Sequence, residues 1–459
     1  MTLPRKRFPR TALALAVLAL ALPLRAARRA AGSEPQEREF TLANGLRVFL
    51  YEKPGLPLVS IAAAVDAGSK DETEATSGLS HLLEHYVLFR GTESRSGAEI
   101  AREIRRHGAY FNAQTGQDMT VFQISLPARH AAFGLANQKE ILFNLKIEAK
   151  ELESEKEVVI EEINQIKDDP LRYASSLLYQ KLYRGHPYGR AVYGTVEAIK
   201  ALTPETVEAY YRSRFVPAAT SLAVVGDFAL DAMEAQVRAC FEPVPKAEPA
   251  ASIKIGSPPP LEKTVDVEER LDVKEAYLVI GALAPDYNSP DQYAADLLTE
   301  ILGRGISPML LRPLKGARDL IDTLSMSYIA LKHAGAFSVA MTLDPKRIAA
   351  ARSETLKFLR QAHGENFARS DVYGDAQMYA FDFLESSRNQ ILLKLQEGRE
   401  SGLNLAVSLA MHVLLRDRAE APDYLKAVRS LTSSDLRKAA TKYFGRTEYV
   451  VISILPGKD

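Results

Sequence analysis

The stretch that organises this chain is Gly78-Leu79-Ser80-His81-Leu82-Leu83-Glu84-His85. His81 and His85 stand four residues apart, so a helix places them on one face with Glu84 beside them. Two neutral imidazoles on one face supply half of a tetrahedral zinc site, and a carboxylate next to them can take a proton from water at the metal. The pattern is H-x-x-E-H, the inverse of the H-E-x-x-H zinc motif. The alternative interpretation is an ordinary helix with one polar side.

A catalytic zinc site also needs a third protein ligand. Residues 153–163 read ESEKEVVIEEI and contain five glutamates. Glu155 and Glu162 are seven residues apart, which puts them on nearly the same face of a helix. Most runs of this kind are solvated, charge-rich helices, and the spacing alone does not choose a ligand among the five glutamates.

A family resemblance makes that choice. The H-x-x-E-H helix and the later acidic helix ending Val-Ile-Glu-Glu-Ile together resemble the pitrilysin family, which includes insulin-degrading enzyme and the mitochondrial processing peptidases. The resemblance implies one Zn²⁺ per chain, with His81, His85 and Glu162 as its ligands. It also implies that Glu84 is the catalytic base and that Glu155 is the acid that orients the metal ligands.

The resemblance covers nearly the whole chain after its N-terminal segment and implies an α+β fold. We expect two homologous α/β-sandwich domains, each a mostly antiparallel sheet covered by helices, that form a clamshell around a chamber. The expected ranges are a signal peptide at 1–32, a zinc-bearing peptidase domain at 33–242, a proline-rich linker at 243–263 and a homologous domain without the zinc motif at 264–459.

Two features of the sequence itself favour this division. Six prolines lie between positions 243 and 260, a composition that disfavours helices and is typical of a semi-extended linker. Leu202-Thr203 and Leu431-Thr432 each precede a helical pattern and then an apolar strand, which is a faint internal repeat.

Local patterns predict several elements around the motif. Asn44-Gly45 is a strong turn pair and predicts a hairpin over 38–50. The apolar run 59–65 indicates a strand buried on both faces, and the alternation over 120–126 indicates another strand. Residues 98–106 are helical in pattern, and Thr203 before Pro204 is typical of a helix N-cap.

The N-terminus has the pattern of an export signal. A basic segment with Arg5, Lys6, Arg7 and Arg10 precedes fourteen apolar residues, 11–24, which are too few to span a bilayer comfortably. Cleavage after Ala26 or Gly32 would leave no stable membrane span. We therefore expect an exported, periplasmic protein. An uncleaved membrane anchor and an incorrect start codon are the alternatives.

Composition limits the function classes. The chain has 459 residues, of which 46% are hydrophobic and 25% charged, so it is long enough for two domains with sizeable cores. Its 58 basic and 58 acidic residues give zero net charge, which argues against a nucleic-acid partner. Cys240 is the single cysteine and cannot form an internal disulfide.

The resemblance also implies where substrate binds. Asn112-Ala113 matches a family pair on a sheet edge near the zinc, where substrate is held as an added strand. An exposed edge has unpaired backbone groups that bind an extended peptide with little regard to its sequence. We therefore expect Asn112 and Ala113 to bind peptide substrate, whereas a turn asparagine is the alternative for Asn112.

The second half departs from the family pattern. The run 302–312 resembles the family's glycine-rich turn and arginine, which makes Arg312 a candidate substrate-binding residue. Active single-chain members have a tyrosine seven residues after that arginine, where this chain has Asp319. A second register puts Asp322 at that position. Tyr328 is nearby in sequence and fits neither register, unless an insertion realigns it.

We therefore expect a zinc metalloendopeptidase that cleaves short or unfolded peptides. We expect this chain to be the zinc-bearing half of a heterodimer, because some family members bring the zinc on one chain and the arginine–tyrosine pair on the other. A homodimer with other donors is the alternative assembly. The rival function is a non-catalytic zinc-binding assembly or chaperone-like subunit, and a zinc hydrolase with a non-peptide substrate is a third possibility.

Overall fold

The computed structural model describes residues 36–251, 253–316, 318–362, 383–416, 423–445 and 448–457. The predicted signal peptide at 1–32 lies outside these ranges. Within them, no helix has both the length and the apolar composition that crossing a membrane requires.

Six strands form the first sheet: β1 (Gln36–Thr41), β2 (Arg47–Glu52), β3 (Leu58–Val65), β4 (Tyr110–Thr115), β5 (Thr120–Pro127) and β6 (Thr220–Gly226). Their order across the sheet is β1-β2-β6-β3-β5-β4. β2 and β6 are parallel, and the other neighbours are antiparallel. The predicted hairpin at Asn44-Gly45 is confirmed as β1–β2, and Gly45 supplies the positive φ of 94° at its turn.

Five strands form the second sheet: β7 (Val265–Leu271), β8 (Ala276–Ala284), β9 (Thr323–Ala330), β10 (Gly335–Leu343) and β11 (Val450–Pro456). Their order is β7-β11-β8-β10-β9, with β7 and β11 parallel and the other neighbours antiparallel. This order and direction repeat the first sheet without β1. The predicted α+β fold with two homologous sheets is confirmed.

Helices cover both sheets. Those of the first half are α1 (Leu79–Phe89), α2 (Gly97–Arg106), α3 (Ala131–Phe143), α4 (Ala149–Gln165), α5 (Pro170–Leu182), α6 (Val196–Ala201), α7 (Pro204–Arg214) and α8 (Leu230–Phe241). Those of the second half are α9 (Gln292–Thr299), α10 (Leu311–Lys315), α11 (Ile348–Gln361), α12 (Phe383–Glu400), α13 (Gly402–Leu415), α14 (Tyr424–Ser430) and α15 (Ser433–Tyr443), with a π-helical turn at Glu300–Arg304 after α9. The repeated threonines cap α7 and α15, since Thr203 and Thr432 each accept a backbone N–H three residues on.

Each half contributes one helix that covers the sheet of the other half. Helix α13 of the second half lies on strands β3 and β6, where Ala406 and Ala410 are fully buried against the first sheet. Helix α5 of the first half lies on β8 and β11 of the second sheet, where Leu178 packs beside Gly281. A Cβ at Gly281 would stand 2.6 Å from Leu178 Cδ1, so this close approach depends on glycine. Each sheet therefore has one face covered by its own half and the other covered by the opposite half.

Helix α1 lies within the core of the first half. Its residues from Leu79 to Val87 are all buried, and it packs on β4, β5 and α4. A helix that is apolar on most sides is stable only when neighbouring elements cover those sides. The polar side chains of the motif are therefore surrounded by packed elements and held in place. This packing sets the position of the candidate site.

Candidate metal centre

The two motif histidines lie together on α1. His81 and His85 are 6% and 8% exposed, and their ring centroids are 4.7 Å apart. Gly78 is the N-cap of the helix, and its φ of 89° is accessible to glycine at no steric cost. Buried Glu72 accepts hydrogen bonds of 2.8 Å from the backbone N–H groups of Gly78 and Ser80, so it satisfies donors that a helix start leaves unpaired.

Glu162 of α4 completes a three-residue group with the histidines. Its Oε2 atom is 3.7 Å from Nε2 of His81 and 3.5 Å from Nε2 of His85, and one ligand atom from each of the three residues lies within 4.8 Å of the others. These separations exceed hydrogen-bond length. Ligands of a tetrahedral zinc ion, with bonds of about 2.0–2.1 Å, stand roughly 3.3 Å apart. The spacing and the two-histidine, one-carboxylate donor set therefore fit a zinc ion.

Glu155 lies about two helical turns before Glu162 on α4 and faces the other ring nitrogen of His85. Its Oε2 atom is 3.6 Å from Nδ1 of His85, and its Oε1 atom is 2.6 Å from a guanidinium nitrogen of Arg90. Arg90 also contacts Glu151 at 2.6 Å. A carboxylate on the far nitrogen of a metal-binding histidine fixes the ring's orientation and tautomer. Arg90 in turn holds that carboxylate in place.

The surroundings shift the pKa values of the two histidines in opposite directions. Burial, with smaller contributions from His85 and Arg172, lowers the pKa of His81 to about 3, so its ring is neutral and free to bind a metal. Burial acts to lower the pKa of His85 as well. Its close contact with the Glu155 carboxylate and the charges of Glu162 and Glu84 outweigh burial and raise that pKa above the usual value.

Glu84 lies beside His85 on α1 and reaches strand β4 at the edge of the first sheet. Thr115 of β4 donates a hydrogen bond of 2.5 Å from Oγ1 to Oε2 of Glu84. Burial raises the pKa of Glu84 against the opposing effect of this hydrogen bond, and a raised pKa brings a carboxylate closer to the range useful for proton transfer near neutral pH. No pattern in the sequence indicates this role for Thr115.

Strand β4 ends the first sheet and pairs along one side with β5. Asn112 and Ala113 lie on it, in register with Gln123 and Phe122. Asn112 is exposed, and its side-chain amide donates to the hydroxyl of Tyr110 at 3.1 Å, whereas Ala113 is buried. Since Thr115 of the same strand contacts Glu84, this edge runs beside the candidate metal-binding group.

Tyr193 and Arg172 also border the site, and no pattern in the sequence indicates either of them. The ring of Tyr193 meets that of His81 edge to face with centroids 4.6 Å apart, and the guanidinium carbon of Arg172 is 4.6 Å from the centroid of Tyr193. Arg172 also donates a hydrogen bond to the Tyr193 hydroxyl. Arg172 belongs to α5, and Tyr193 belongs to the loop before α6. No spacing in the sequence connects these segments with the motif.

The candidates of the second half are not part of this group. Arg312 is exposed on α10, with its guanidinium 5.7 Å from the ring centroid of Phe383. Asp319 contacts Arg347 at 3.4 Å, and the backbone carbonyl of Asp322 accepts a hydrogen bond from the Lys315 ammonium. The hydroxyl of half-buried Tyr328 donates to the carbonyl of Pro285 at 2.9 Å, so it is engaged within its own half.

Comparisons with known proteins show which family the chain resembles. The family described as Insulinase (Peptidase family M16) matches residues 47–196, and the family described as Peptidase M16 inactive domain matches residues 201–373. A protein of Mycobacterium leprae named an uncharacterized zinc protease is 26% identical over 339 residues, covering 72% of this chain and 74% of that protein. A probable mitochondrial-processing peptidase subunit beta of Schizosaccharomyces pombe is 28% identical over 299 residues, covering 63% of this chain and 65% of that protein.

A solved structure shares the fold. The crystal structure of a protease from Helicobacter pylori superimposes with a TM-score of 0.80 over 92% of this chain and 100% of that one, at 21% identity. The fold and the histidine–glutamate group define a zinc metallopeptidase. The chain belongs to peptidase family M16, and the resemblance found in the sequence is confirmed.

Proposed function

We propose that this zinc metallopeptidase is an endopeptidase for short or unfolded peptides and that His81, His85 and Glu162 hold its zinc ion. The observation that carries the proposal is the position of Glu84, which is on the helix of the two histidines and hydrogen-bonded to β4, the outermost strand of the first sheet among the described residues. A base between a metal-binding group and a peptide-binding edge is arranged for hydrolysis of an extended backbone.

Each residue has a distinct part in the proposed reaction. Zn²⁺, when bound, supplies a Lewis acid that polarises the scissile carbonyl. Glu84 accepts the proton of the attacking water and delivers it to the leaving amine, and the raised pKa of Glu84 suits this transfer. Glu155 holds His85 in the orientation that binding requires.

The edge strand supports the proposed substrate class. A peptide that pairs with β4 must be extended over several residues, and its backbone then hydrogen-bonds to the strand whatever its side chains are. Asn112 is exposed on this strand and is a candidate to contact the substrate backbone. A folded protein seldom offers such a segment, so short or unfolded peptides are the proposed substrates.

A second subunit is part of the proposal. Hydrolysis needs donors for the developing oxyanion, and loss of one typically costs on the order of 10²-fold in rate. Asp319 and Asp322 stand where tyrosine is expected, and the Tyr328 hydroxyl is engaged with Pro285. One similar protein is named a processing peptidase subunit, which is in line with a pair of chains. We propose a heterodimer whose partner supplies the arginine and tyrosine; a homodimer is the alternative.

The proposed location is the periplasm. Its support is the basic segment followed by fourteen apolar residues at 11–24. Mass spectrometry of the N-terminus of the protein recovered from a periplasmic extract tests export, and an intact Met1 in a membrane fraction would contradict cleavage.

The test of the peptidase uses the mature chain and a quenched, unstructured peptide. We expect cleavage that Glu84→Gln abolishes while zinc content stays near one per chain. The matched control is Glu157→Gln, an exposed position on α4, which should cleave at the wild-type rate. Activity of the chain alone would overturn the heterodimer, and activity only after addition of a second family subunit would support it.

The rival is a non-catalytic zinc-binding subunit. The observation in its favour is the absence of the expected tyrosine at 319 and 322. Full zinc content without cleavage in any combination of subunits and peptides would establish this rival and overturn the peptidase.

A further inference from the structure

Arg172 and Tyr193 form a positively charged pair of residues beside the candidate metal-binding group, and the proposed reaction gives this pair no role. Tyr193 is half-buried against His81, and Arg172 is exposed beyond it, stacked on the tyrosine ring and hydrogen-bonded to its hydroxyl. Only the ring of Tyr193 separates the guanidinium of Arg172 from the imidazole of His81. A positive charge therefore stands at the solvent side of the site.

The backbone fixes this element in place. A Cβ at Gly78 would lie 2.5 Å from the carbonyl oxygen of Tyr193, and one at Gly194 would lie 2.2 Å from the carbonyl oxygen of Ser77. Both glycines have positive φ values, 89° and 78°. The loop that carries Tyr193 is therefore packed on the start of α1 as closely as two glycines allow, and the position of Tyr193 relative to His81 is set by the main chain.

The guanidinium of Arg172 has donors to spare. Within the described ranges no carboxylate forms an ion pair with it, and its side-chain hydrogen bond goes to a neutral phenol. Asp169 is nearby, but its carboxylate caps α5 by accepting the backbone N–H of Arg172. A guanidinium has five N–H donors in a planar fork that matches a carboxylate. The phenol holds the fork in place and occupies one side of it.

We propose that Arg172, positioned by Tyr193, binds a carboxylate of the peptide close to the bond that is cleaved, and that the enzyme prefers peptides with such a carboxylate. This inference rests on the proposed peptidase function. The carboxylate has two sources, an aspartate or glutamate side chain and the C-terminus of a short peptide. Both offer the same two oxygens to the guanidinium.

The test compares peptides with and without the carboxylate. One quenched series carries glutamate or glutamine at each position within three residues of the cleaved bond, and a second series carries a free or amidated C-terminus. For wild type we expect kcat/KM to be about tenfold higher for the carboxylate member of at least one pair, as for one charge-assisted hydrogen bond, with the preference falling as salt rises. The pair that shows the preference identifies the source.

Variants separate this role from a structural one. Arg172→Gln should reduce that ratio to near one, because kcat/KM should fall more for the carboxylate peptides than for the neutral ones. Tyr193→Phe keeps the ring against His81 but removes the hydroxyl, so zinc content should stay constant while the preference falls by about threefold, as for one weakened hydrogen bond. The control Lys181→Gln removes a positive charge from an exposed position farther along α5 and should keep the full preference.

Binding gives a readout that is independent of turnover. Fluorescence anisotropy of labelled peptides on Glu84→Gln should show the same preference for the carboxylate member, and the double variant Glu84→Gln/Arg172→Gln should not. Equal kcat/KM for both members of every pair in the wild type would overturn the proposal while leaving the peptidase intact. A preference that persists in Arg172→Gln would also overturn it.

Discussion

Thr115 Oγ1 donates a 2.5 Å hydrogen bond to Oε2 of Glu84, and this bond joins β4, the last strand of the first sheet, to helix α1, which carries the motif histidines. Thr115 also lies 3.3 Å from the hydroxyl of Thr120 on the neighbouring strand. Since Asn112 and Ala113 precede Thr115 on the same strand, a peptide added at this edge would lie along the element that orients the proposed base.

Replacing Thr115 with valine should therefore slow turnover. The variant keeps the shape and β-branching of threonine but removes the donor, so we expect kcat to fall about 10- to 100-fold, in the range of a misplaced general base, with KM and zinc content nearly unchanged. Thr115→Ser keeps a hydroxyl and should restore most of the rate. Steady-state kinetics on a quenched peptide measure both, and equal loss in Ser and Val would point to packing instead.

Glu155→Gln should weaken metal binding. An amide gives His85 a neutral partner and cannot form the ion pair with Arg90. We expect zinc affinity to fall about 10- to 100-fold, as is usual for a carboxylate that orients a ligand histidine. Competition with a chromophoric chelator measures the affinity without reference to activity. Glu161→Gln, exposed on the same helix, is the control and should bind zinc as wild type does.

The buried carboxyl of Glu72 predicts a pH dependence of stability. Burial raises its pKa to about 7, against the opposing hydrogen bonds from Ser80 and Gly78. An acid whose folded pKa is raised keeps its proton longer in the folded state, so stability falls as pH rises from its ordinary value of 4.5 to about 7 and is level above that.

The comparison with Glu72→Gln isolates this effect. The free energy of unfolding of wild type relative to the glutamine variant should fall by about 3 kcal/mol between pH 4.5 and 7. Urea unfolding of metal-free protein over this range provides the measurement. If the relative stability of wild type instead increases toward neutral pH, the helix amides hold Glu72 ionised and the predicted sign is wrong.

Overpacking the exchanged helix should destabilise the first half. Ala406 is fully buried between α13 and the sheet, and leucine there would force the helix outward at a cost of about 1–3 kcal/mol. Ser408→Leu adds the same side chain at an exposed position of α13 and should cost little. Denaturant unfolding measures this cost. Zinc binding by the variant shows whether a change in a helix of the second half displaces His81 and His85.

The elements near the motif were predictable because their signals are local. The turn at Asn44-Gly45 and the strands at 59–65 and 120–126 lie where turn chemistry and periodicity put them. The approach of Glu162 to His81 followed from the family resemblance, since five glutamates in one helix gave no means of choice from spacing.

Contacts between distant segments left no signal in the sequence. Thr115 is an ordinary strand residue, and its role depends on β4 lying beside α1. Tyr193 and Arg172 meet because a loop is packed on Gly78 and α5 begins nearby. The exchange of α5 and α13 is equally hidden, because an apolar helix face shows that it is covered but not by what.

The exchange of helices also bears on how the protein is made. Strands β1 to β6 are complete once residue 226 has been synthesised, yet the helix that covers their second face begins only at Gly402. A growing chain, whether at the ribosome or emerging from a translocation pore, therefore carries a bare alanine- and valine-rich sheet face until its last segments follow. Such a chain is a natural client for a chaperone during that interval. A premature stop before residue 402 would leave the sheet beside the zinc helix open to aggregation, although every residue of the proposed zinc site had already been made.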